Sequence, residues 1–342
     1  MMILITGAAG YIGSHTLHNL YQKKRKIVAI DNLYSGFKWA IPDTSIDLYI
    51  GNCGDPELLQ FIFKKYKVES VIHFAAHLEV EESTRLPIKY YKNNFFNSLS
   101  LIEQCLKHDI NQFIFSSTCA VYGTPEKIPV SESTPVNPLT SYGKSKLATE
   151  WALQDLTSST ATPLSLFTEN SVNKLKFAIL RYFNVAGAKV GGGLGQSTPN
   201  ATQLIKVASE VAVGKRSHLK IFGSDYPTPD GTCVRDYIHV DDLAEAHSLA
   251  LEYLESGGAS GIFNCGYGQG FSVNEVVSSM NKVIKRELPV EYVSRRAGDA
   301  ISIFADPSRV KNTLGWKPKY QDIDLICKTQ YEWEKEIISR GL

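Results

Sequence analysis

The chain has 342 residues, enough for a large buried core and more than one compact domain usually needs. Its 36 basic and 35 acidic residues give a formal charge of +1, which excludes a surface built for nucleic acid or an acidic membrane. The six cysteines lack metal-ligand spacing, and the sequence contains no apolar run of about 18 residues and no signal peptide. We therefore expect a cytoplasmic protein that binds neither metal nor membrane.

Short apolar runs alternate with segments of helical periodicity along the first half of the chain. The runs are MILIT, KIVAID, SVIHFA and QFIFSS, and the helical segments cover residues 13–24, 56–67 and 93–108. A further helix is predicted over 139–156, followed by a buried strand at KFAILRYFN. This alternation is typical of βαβ units, so we expect an α/β fold with a Rossmann-like, doubly wound parallel sheet.

The second half of the chain has shorter elements and more glycine. A Ser/Thr-rich stretch over 157–174 is predicted to be an exposed loop, and a glycine-rich loop follows Asn184. We expect a first domain over 1–183, to which part of 232–266 returns. A smaller C-terminal α/β lobe that binds the substrate is expected over 184–342.

A glycine motif follows the first predicted strand and opens the first helix. In ITGAAGYIGSH, Gly7, Gly10 and Gly13 permit a tight turn and a close approach of the backbone to a pyrophosphate. The second strand ends at Asp31, whose carboxylate can accept from both ribose hydroxyls and would repel a 2′-phosphate. The spacing GxxGxxG alone is weak evidence, but strand, loop, helix, strand and acid in this order predict NAD binding.

The hexapeptide SYGKSK places Tyr142 and Lys146 four positions apart, on one face of a helix. A tyrosine is a poor base near neutral pH because its unperturbed pKa is about 10. A neighbouring ammonium would stabilise the phenolate, which could then take a proton from an alcohol. Thr118 ends the strand in FSSTCAVYG, on the side of an open sheet where ligands bind, and is a candidate to hydrogen-bond the same oxygen.

These motifs together resemble the extended short-chain dehydrogenase/reductase family, over nearly the whole chain. The resemblance also rests on VIHFAA, YYKNN, LRYFNVAGA, IFGSDYPTPDGTCVRDYIHVDDLA, FNCGYG and SRRAGD, and is greatest to members that epimerise UDP-glucose at C4. It implies that NAD oxidises the sugar at C4, the 4-keto sugar rotates, and hydride returns to its other face. Tyr142 would be the base, Thr118 would hydrogen-bond the 4-hydroxyl, and Lys146 would orient the cofactor ribose.

The resemblance also implies the ligand sites and an assembly. It assigns to NAD the residues Gly7, Gly10, Tyr11, Ile12, Gly13, Asp31, Asn32, Asn52, Cys53, Phe74, Ala75, Ala76, Asn93, Ser116, Tyr142, Lys146 and Tyr182. It assigns to the UDP-sugar the residues Thr118, Tyr142, Asn184, Lys220, Phe222, Arg235, Arg296 and Asp299. Guanidinium groups suit diphosphate oxygens, which fits the two arginines. A homodimer through paired helices at 93–108 and 141–156 is expected.

Several positions depart from the family pattern and leave the sugar open. Asn52 replaces a common aspartate, Leu78 a lysine found in some members, and Gln203 an asparagine or histidine. Ile303 is intermediate between the large residues that exclude N-acetyl sugars and the small ones that admit them. The alternatives are therefore 4-epimerisation of a UDP-N-acetylhexosamine, a UDP-pentose or a UDP-uronate, and a non-catalytic NAD-binding regulator.

Two other interpretations are unfavourable. A nucleotide-sugar 4,6-dehydratase would need an acid and a base after Thr118, where this chain has cysteine and alanine. His73 and His77 have the spacing of a metal-binding pair on a helix, but they lie at a strand end without a third ligand nearby. We therefore expect an epimerase without a metal ion.

Overall fold

The computed structural model describes residues 1–42, 45–158, 175–296 and 298–342. The loop predicted over 157–174 lies outside the described residues from position 159 onward. Within these four ranges, no helix is long and apolar enough to cross a membrane. The same ranges contain no group of three side chains arranged to hold a metal ion.

The strands and helices are defined by the following residues. The strands are β1 (Met2–Thr6), β2 (Lys26–Asp31), β3 (Leu48–Ile50), β4 (Val68–His73), β5 (Gln112–Thr118), β6 (Lys176–Tyr182), β7 (Asn184–Ala186), β8 (Leu219–Phe222), β9 (Val234–Arg235), β10 (Tyr237–His239), β11 (Gly261–Cys265), β12 (Phe271–Ser272), β13 (Val290–Val293) and β14 (Ser302–Ile303). The helices are α1 (Tyr11–Gln22), α2 (Pro56–Tyr66), α3 (Val80–Arg85), α4 (Pro87–Tyr90), α5 (Asn97–Lys107), α6 (Ser141–Ser158), α7 (Leu204–Ala212), α8 (Val240–Glu255), α9 (Val273–Ile284), α10 (Ser308–Leu314) and α11 (Ile323–Arg340).

Tertiary contacts divide the chain into two units. The first contains Met1–Val121, Pro138–Arg181 and Ala246–Phe263, and the second contains Tyr122–Asn137, Tyr182–Glu245 and Asn264–Leu342. Each unit is therefore built from three separate stretches of the chain. The functional domains expected over 1–183 and 184–342 stay predictions, because these contacts define compact units and not functions.

The first unit is organised around a seven-stranded sheet in the order β11-β6-β5-β4-β1-β2-β3. The pairs β1/β2, β1/β4, β2/β3 and β4/β5 are all parallel, because a helix or a longer connection returns the chain to the same edge. Their apolar residues are buried, as in β1, where Ile3, Leu4 and Ile5 are fully covered. The predicted α/β fold with a Rossmann-like parallel sheet is confirmed.

The strand order reverses direction between β1 and β4, which places a crevice at their carboxyl ends. The chain leaves β1 at Gly7 and leaves β4 at Phe74, so both connections begin at this crevice. In a doubly wound sheet such a crevice is where a ligand binds. The fold therefore places the predicted glycine motif at the expected edge.

The second unit contains three small sheets and a group of packed helices. The sheets have the orders β10-β7, β12-β9-β14 and β13-β8, and helices α7, α9 and α11 pack on one another. A buried charge cluster joins two of these helices, since Lys206 of α7 forms an ion pair with Glu334 of α11 and a second one, at 3.2 Å, with Glu210. The smaller C-terminal α/β sheets predicted from the sequence are thus confirmed.

Candidate active site

The glycine turn after β1 has a backbone that side chains would obstruct. Gly7 has φ +69°, a left-handed conformation that L side chains rarely adopt, and its N–H donates to the carbonyl of Ile30 at 2.8 Å. A Cβ on Gly7 would lie 2.6 Å from the amide nitrogen of Ala75, and one on Gly13 would lie 2.1 Å from the Gly7 carbonyl oxygen. Larger residues at either position would displace backbone, so this turn and α1 can approach each other only with glycine.

The start of α1 is suited to a phosphate. Gly10 caps the helix without contributing a side chain, and the first turn of α1 contains no acidic residue. The N–H groups at a helix N-terminus carry partial positive charge and bind phosphate oxygens. Tyr11, Ile12 and Gly13, all predicted cofactor residues, form this first turn.

Asp31 ends β2 beside the glycine turn, and its carboxylate is already oriented by two backbone groups. Its Oδ2 accepts from the N–H of Ala9 at 2.9 Å, and its Oδ1 accepts from the N–H of Leu33 at 2.7 Å. Burial raises the pKa of this carboxyl above its usual value, although the backbone N–H groups oppose that shift. Each oxygen keeps further acceptor capacity for a hydroxyl, so these residues fit the nucleoside and diphosphate of NAD.

Three further predicted cofactor residues of the first unit, Asn32, Asn52 and Cys53, lie in local turns or are buried. Asn32 and Asn52 each accept with the side-chain oxygen from a backbone N–H two residues later, those of Tyr34 and Gly54. The side-chain oxygens of both asparagines are thus held in local turns. Cys53 is buried, which raises the pKa of its thiol to about 12.

The loop after β4 is held against the sheet and against a π-helical segment. Phe74 begins this loop and donates its N–H to the Thr6 carbonyl at 3.0 Å, while Ala75 and Ala76 follow it and are partly exposed. Asn93 lies in the π-helical segment Tyr91–Phe96 and donates to the side chain of Asn94 at 3.0 Å. These predicted residues are therefore grouped around the crevice.

Thr118, Tyr142 and Lys146 are all buried in the first unit. The Thr118 side chain lies close enough to the Tyr142 phenol to lower the pKa of that phenol. Lys146 donates to the backbone carbonyl of Ser116 at 2.8 Å, and its Nζ lies 5.0 Å from the centroid of the Phe115 ring. The two side chains of α6 that were predicted to be catalytic are thus buried near the carboxyl end of β5.

Burial shifts the pKa values of the two titratable groups toward their neutral forms. It raises the pKa of Tyr142 to about 12, which the Thr118 side chain partly counteracts. It lowers the pKa of Lys146 to about 7, against the opposing influence of Cys53 and Glu150. A ligand that brings positive charge to Tyr142 would lower the pKa of its phenol.

Asn94 is a buried functional candidate that the sequence reasoning missed. Its Oδ1 accepts from the His77 N–H at 2.8 Å, and its Nδ2 donates to the His77 carbonyl at 3.0 Å. The same Nδ2 lies 3.4 Å from the Ser145 hydroxyl on α6. Asn94 therefore joins the loop after β4 to the helix that carries Tyr142 and Lys146. Its position beside Asn93 in YYKNN was the available signal.

His73 has a structural role in this site. Burial lowers its pKa to about 3, so the ring is neutral. Its Nδ1 lies 2.6 Å from the Thr6 hydroxyl and its Nε2 lies 2.7 Å from that of Ser98. Because Ser98 donates to the Asn94 carbonyl at 2.6 Å, we assign the ring proton to Nε2. Both ring nitrogens have partners within the protein, which opposes the metal-pair interpretation.

Glu150 anchors α6 from beneath and was also missed. Arg181 of β6 donates from Nε to its two oxygens at 3.0 and 3.1 Å and from Nη2 to Oε2 at 2.5 Å. Ser117 of β5 donates to the same carboxylate. Glu150 lies one helical turn after Lys146, so a buried ion pair and a hydrogen bond fix α6 to two strands.

Four of the predicted UDP-sugar residues meet in the second unit. Arg296 donates from Nε to Asp299 at 3.0 Å, and its guanidinium carbon lies 4.4 Å from the centroid of the Phe222 ring. Arg235 lies 3.9 Å from the same carboxylate and donates to the Val234 carbonyl at 2.8 Å. Two guanidinium groups share one carboxylate, which leaves a net positive charge for an anion.

The other predicted site residues of the second unit are not all grouped with Arg235 and Arg296. Lys220 lies two residues before Phe222 on β8 and therefore on the same face, with its side chain exposed. Asn184 lies in a different sheet, where β7 pairs with β10. Tyr182 ends β6 and falls in the second unit rather than with the other predicted cofactor residues. Ile303 is buried in β14, where its register partner is Arg235.

Tyr226 is a further residue of the second unit that sequence reasoning passed over. Its ring is covered by the Arg295 guanidinium, whose carbon lies 4.1 Å from the ring centroid. Its hydroxyl is buried and has no hydrogen-bond partner among the described residues. The most distinctive motif of the sequence, DYPTPDGTCVRDYIHV, contains this tyrosine, which was the signal available.

Comparisons with known proteins identify the family of the chain. Residues 3–266 match the NAD dependent epimerase/dehydratase family. The UDP-glucose 4-epimerase of Azospirillum brasilense is 46% identical over 335 residues, which cover 98% of this chain and 92% of that protein. The structure of the Brucella ovis UDP-glucose 4-epimerase in complex with NAD is 39% identical, with a TM-score of 0.89 and 97% of each chain covered.

A third relative has a broader name. The UDP-Glc/GlcNAc 4-epimerase from Campylobacter jejuni is 46% identical, with a TM-score of 0.82 over 98% of this chain and 99% of that one. The matches to these three relatives extend over both units and over nearly the full length of the chain. The chain belongs to the NAD dependent epimerase/dehydratase family.

Proposed function

We propose that this protein is a UDP-glucose 4-epimerase that interconverts UDP-glucose and UDP-galactose with a resident NAD. The observation that carries the proposal is the burial of Thr118, Tyr142 and Lys146 together, in the unit whose glycine turn fits a dinucleotide. The curated relatives with this name cover nearly the whole chain. A role in galactose metabolism and the supply of nucleotide sugars follows from the reaction.

The chemistry assigned to the chain is proton transfer at the sugar O4. When bound, NAD takes a hydride from C4 of the sugar and later returns it, so it is regenerated in each turnover. Tyr142 takes the proton from the 4-hydroxyl during oxidation and returns it during reduction. Thr118 hydrogen-bonds at the same position and favours the phenolate.

Lys146 makes Tyr142 a better base when it carries its proton. An ammonium one helical turn away stabilises the phenolate, and the positive charge of the oxidised cofactor acts in the same sense. Lys146 is held at the Ser116 carbonyl at 2.8 Å, which limits its freedom to move. Its proposed second role is to hydrogen-bond the cofactor ribose.

In the second unit, Arg235 and Arg296 are proposed to bind the diphosphate of UDP. The two guanidinium groups carry two positive charges, and the Asp299 carboxylate that pairs with both supplies one negative charge. Phe222 supports Arg296 from one face, which keeps the guanidinium planar and oriented. The substrate would thus stay anchored through its nucleotide while the 4-keto sugar rotates.

The sugar range is the open part of the proposal. The Campylobacter relative is named for both UDP-Glc and UDP-GlcNAc, so an N-acetylhexosamine is the first alternative. Ile303 is buried beside Arg235, and its size is intermediate between those that exclude and admit an N-acetyl group. UDP-pentoses and UDP-uronates remain further candidates. A silent NAD-binding regulator is disfavoured because it needs none of Thr118, Tyr142 and Lys146, which are buried together in the first unit.

The test compares wild type with Tyr142→Phe on UDP-galactose and follows the formation of UDP-glucose. We expect turnover to fall by about a thousandfold, because the general base is removed. Tyr49→Phe, on the edge strand β3, is the control and should retain full activity. Equal inertness of wild type and Tyr142→Phe on UDP-hexoses and UDP-pentoses would reject the proposal, and a UDP-sugar panel ranks the substrates.

We also propose a homodimer and a cytoplasmic location. The resemblance places the helical stretches at 93–108 and 141–156 at the dimer face, and within them Phe96 and Trp151 expose 69% and 54% of their surface. The six cysteines are free thiols, which suits a reducing compartment. No partner made of nucleic acid is proposed, since the formal charge is +1.

A further inference from the structure

We propose that Tyr34, His77 and Lys89 form a strap that crosses the glycine turn and slows the release of the dinucleotide. The inference rests on the proposed function, because it assumes that NAD lies on this turn. It concerns this chain's own side chains and the rate at which the cofactor leaves. The strap is defined as these three side chains.

The two ends of the strap belong to loops on opposite sides of the glycine turn. In the sheet, β1 lies between β2 and β4, so the glycine turn lies between the loop after β2 and the loop after β4. On one side, the N–H of Phe37 donates to the Ala9 carbonyl at 3.0 Å. On the other, a Cβ on Gly7 would lie 2.6 Å from the Ala75 nitrogen. A contact between the two loops must therefore span the turn.

That contact exists between aromatic rings. The rings of Tyr34, in the loop after β2, and His77, in the loop after β4, have centroids 4.8 Å apart at an angle of 67°. This is an edge-to-face arrangement of the kind that stabilises aromatic pairs. The connection therefore bridges the carboxyl edge of the sheet from the β2 side to the β4 side.

Lys89 fastens the tyrosine end of this connection. Its Nζ donates to the Tyr34 hydroxyl at 3.1 Å and lies 5.2 Å from the centroid of the same ring. It also donates to Glu82 at 2.8 Å, which balances its charge. One lysine thus holds Tyr34 by a hydrogen bond and by a cation–π contact.

The histidine end is anchored more firmly than the tyrosine end. Asn94 binds both the N–H and the carbonyl of His77, at 2.8 and 3.0 Å, and the buried Tyr90 ring lies 5.7 Å from the His77 ring. Tyr34 exposes 63% of its surface and is the member that can swing away. Opening the strap therefore means moving Tyr34 and its short loop, without unfolding the sheet.

Charge does not oppose the closed arrangement. Burial and the neighbouring Lys89 lower the pKa of His77, so its ring is neutral near pH 7 and does not repel the ammonium. Glu82 supplies the negative charge that Lys89 needs and also accepts from the Tyr90 hydroxyl at 2.9 Å. An epimerase regenerates its cofactor in place, so slow release costs it no turnover.

The experiment measures cofactor exchange in the intact holoenzyme. Wild type, Tyr34→Ala, Tyr34→Phe and Lys89→Met are loaded with radiolabelled NAD and diluted into excess unlabelled NAD, and the label retained on a filter is followed with time. Tyr331→Ala is the matched control, because the Lys335 Nζ lies 5.5 Å from that ring on helix α11, which belongs to the second unit. Thermal unfolding checks that each variant is folded.

We expect Tyr34→Ala to release NAD about tenfold faster, equivalent to about 1.4 kcal/mol of lost contacts. Tyr34→Phe and Lys89→Met should lie between it and wild type, since each keeps the ring contact with His77. Tyr331→Ala should release at the wild-type rate. Release from folded Tyr34→Ala within twofold of wild type would overturn the strap. A wild-type protein that holds no NAD would instead overturn the proposed function.

Discussion

Lys146 lies where an ammonium group is costly, and this has a consequence for stability. Burial lowers its pKa to about 7, whereas a lysine in an unfolded chain titrates near 10.4. Between these two values the unfolded chain binds a proton that the folded protein lacks. The contribution of Lys146 to the free energy of unfolding therefore rises with pH across this window, and below about pH 7 the burial cost is fully present.

Lys146→Met should accordingly stabilise the ligand-free protein more at pH 6 than at pH 9. We expect the gain in unfolding free energy to shrink by about 2 kcal/mol between these pH values, measured by urea denaturation. Lys144→Met, an exposed lysine on the same helix, should show no such difference. An equal gain for Lys146→Met at both pH values would contradict the assigned charge state.

Candidate site residues could be predicted from the sequence where their spacing or their place at a strand end was distinctive. Buried polar residues without such a pattern could not. Tyr142 and Lys146 were found because their spacing puts them on one helix face, and Thr118 because it ends a strand. Asn94 and Glu150 were missed because asparagine and glutamate are common on surfaces. Their importance depends on partners 17 and 31 positions away, His77 and Arg181, which only the fold brings near.

At the scale of an element, the ion pair of Glu150 with Arg181 decides how firmly α6 is held. Both side chains are nearly fully buried, with 0% exposure for Glu150 and 3% for Arg181, so removing one charge leaves the other buried without a partner of opposite charge. We expect Glu150→Gln to lower the free energy of unfolding by about 3 kcal/mol. The measurement is urea denaturation, together with activity, which should fall because α6 carries Tyr142 and Lys146.

The double variant Glu150→Met with Arg181→Met separates charge burial from packing. It removes both charges and should be more stable than Glu150→Gln alone, since no unpaired ion remains. If the double variant is the less stable of the two, the pair contributes through its hydrogen bonds and not through charge compensation. Glu103→Gln, whose exposed carboxylate pairs with Lys107 on α5, is the control and should change stability little.

Element boundaries followed the sequence except where the helix widens. The predicted helix over 93–108 is a π-helical segment at Tyr91–Phe96 followed by α5 at Asn97–Lys107. Periodicity over this stretch predicts a helix but does not distinguish a π turn. Here Asn94 and Ser98 are hydrogen-bonded outside the helix, to His77 and to His73. The wider turn places Asn93 and Asn94 at the crevice.

For the whole molecule, the alternation of strands and helices predicted the sheet, and part of 232–266 was expected to return to the first domain, but the place of residues 122–137 was not predicted. The segment Tyr122–Asn137 packs with the second unit, and Ala246–Phe263 packs with the first. Periodicity reports which face of an element is buried, and both segments have ordinary patterns. Which core buries that face is decided by contacts between residues far apart in sequence, such as Tyr122 and Asn264, at 2.7 Å.

The last prediction concerns the proposed homodimer. Trp151 on α6 and Phe96 on the π-helical segment are large apolar side chains that expose 54% and 69% of their surface. Trp151→Asp would place a charge in the interface and should raise the dimer dissociation constant at least about a hundredfold. Light scattering at micromolar concentration measures the mass. Phe61→Asp, 53% exposed on α2, is the control and should leave the dimer intact, whereas an unchanged mass for Trp151→Asp would place the interface elsewhere.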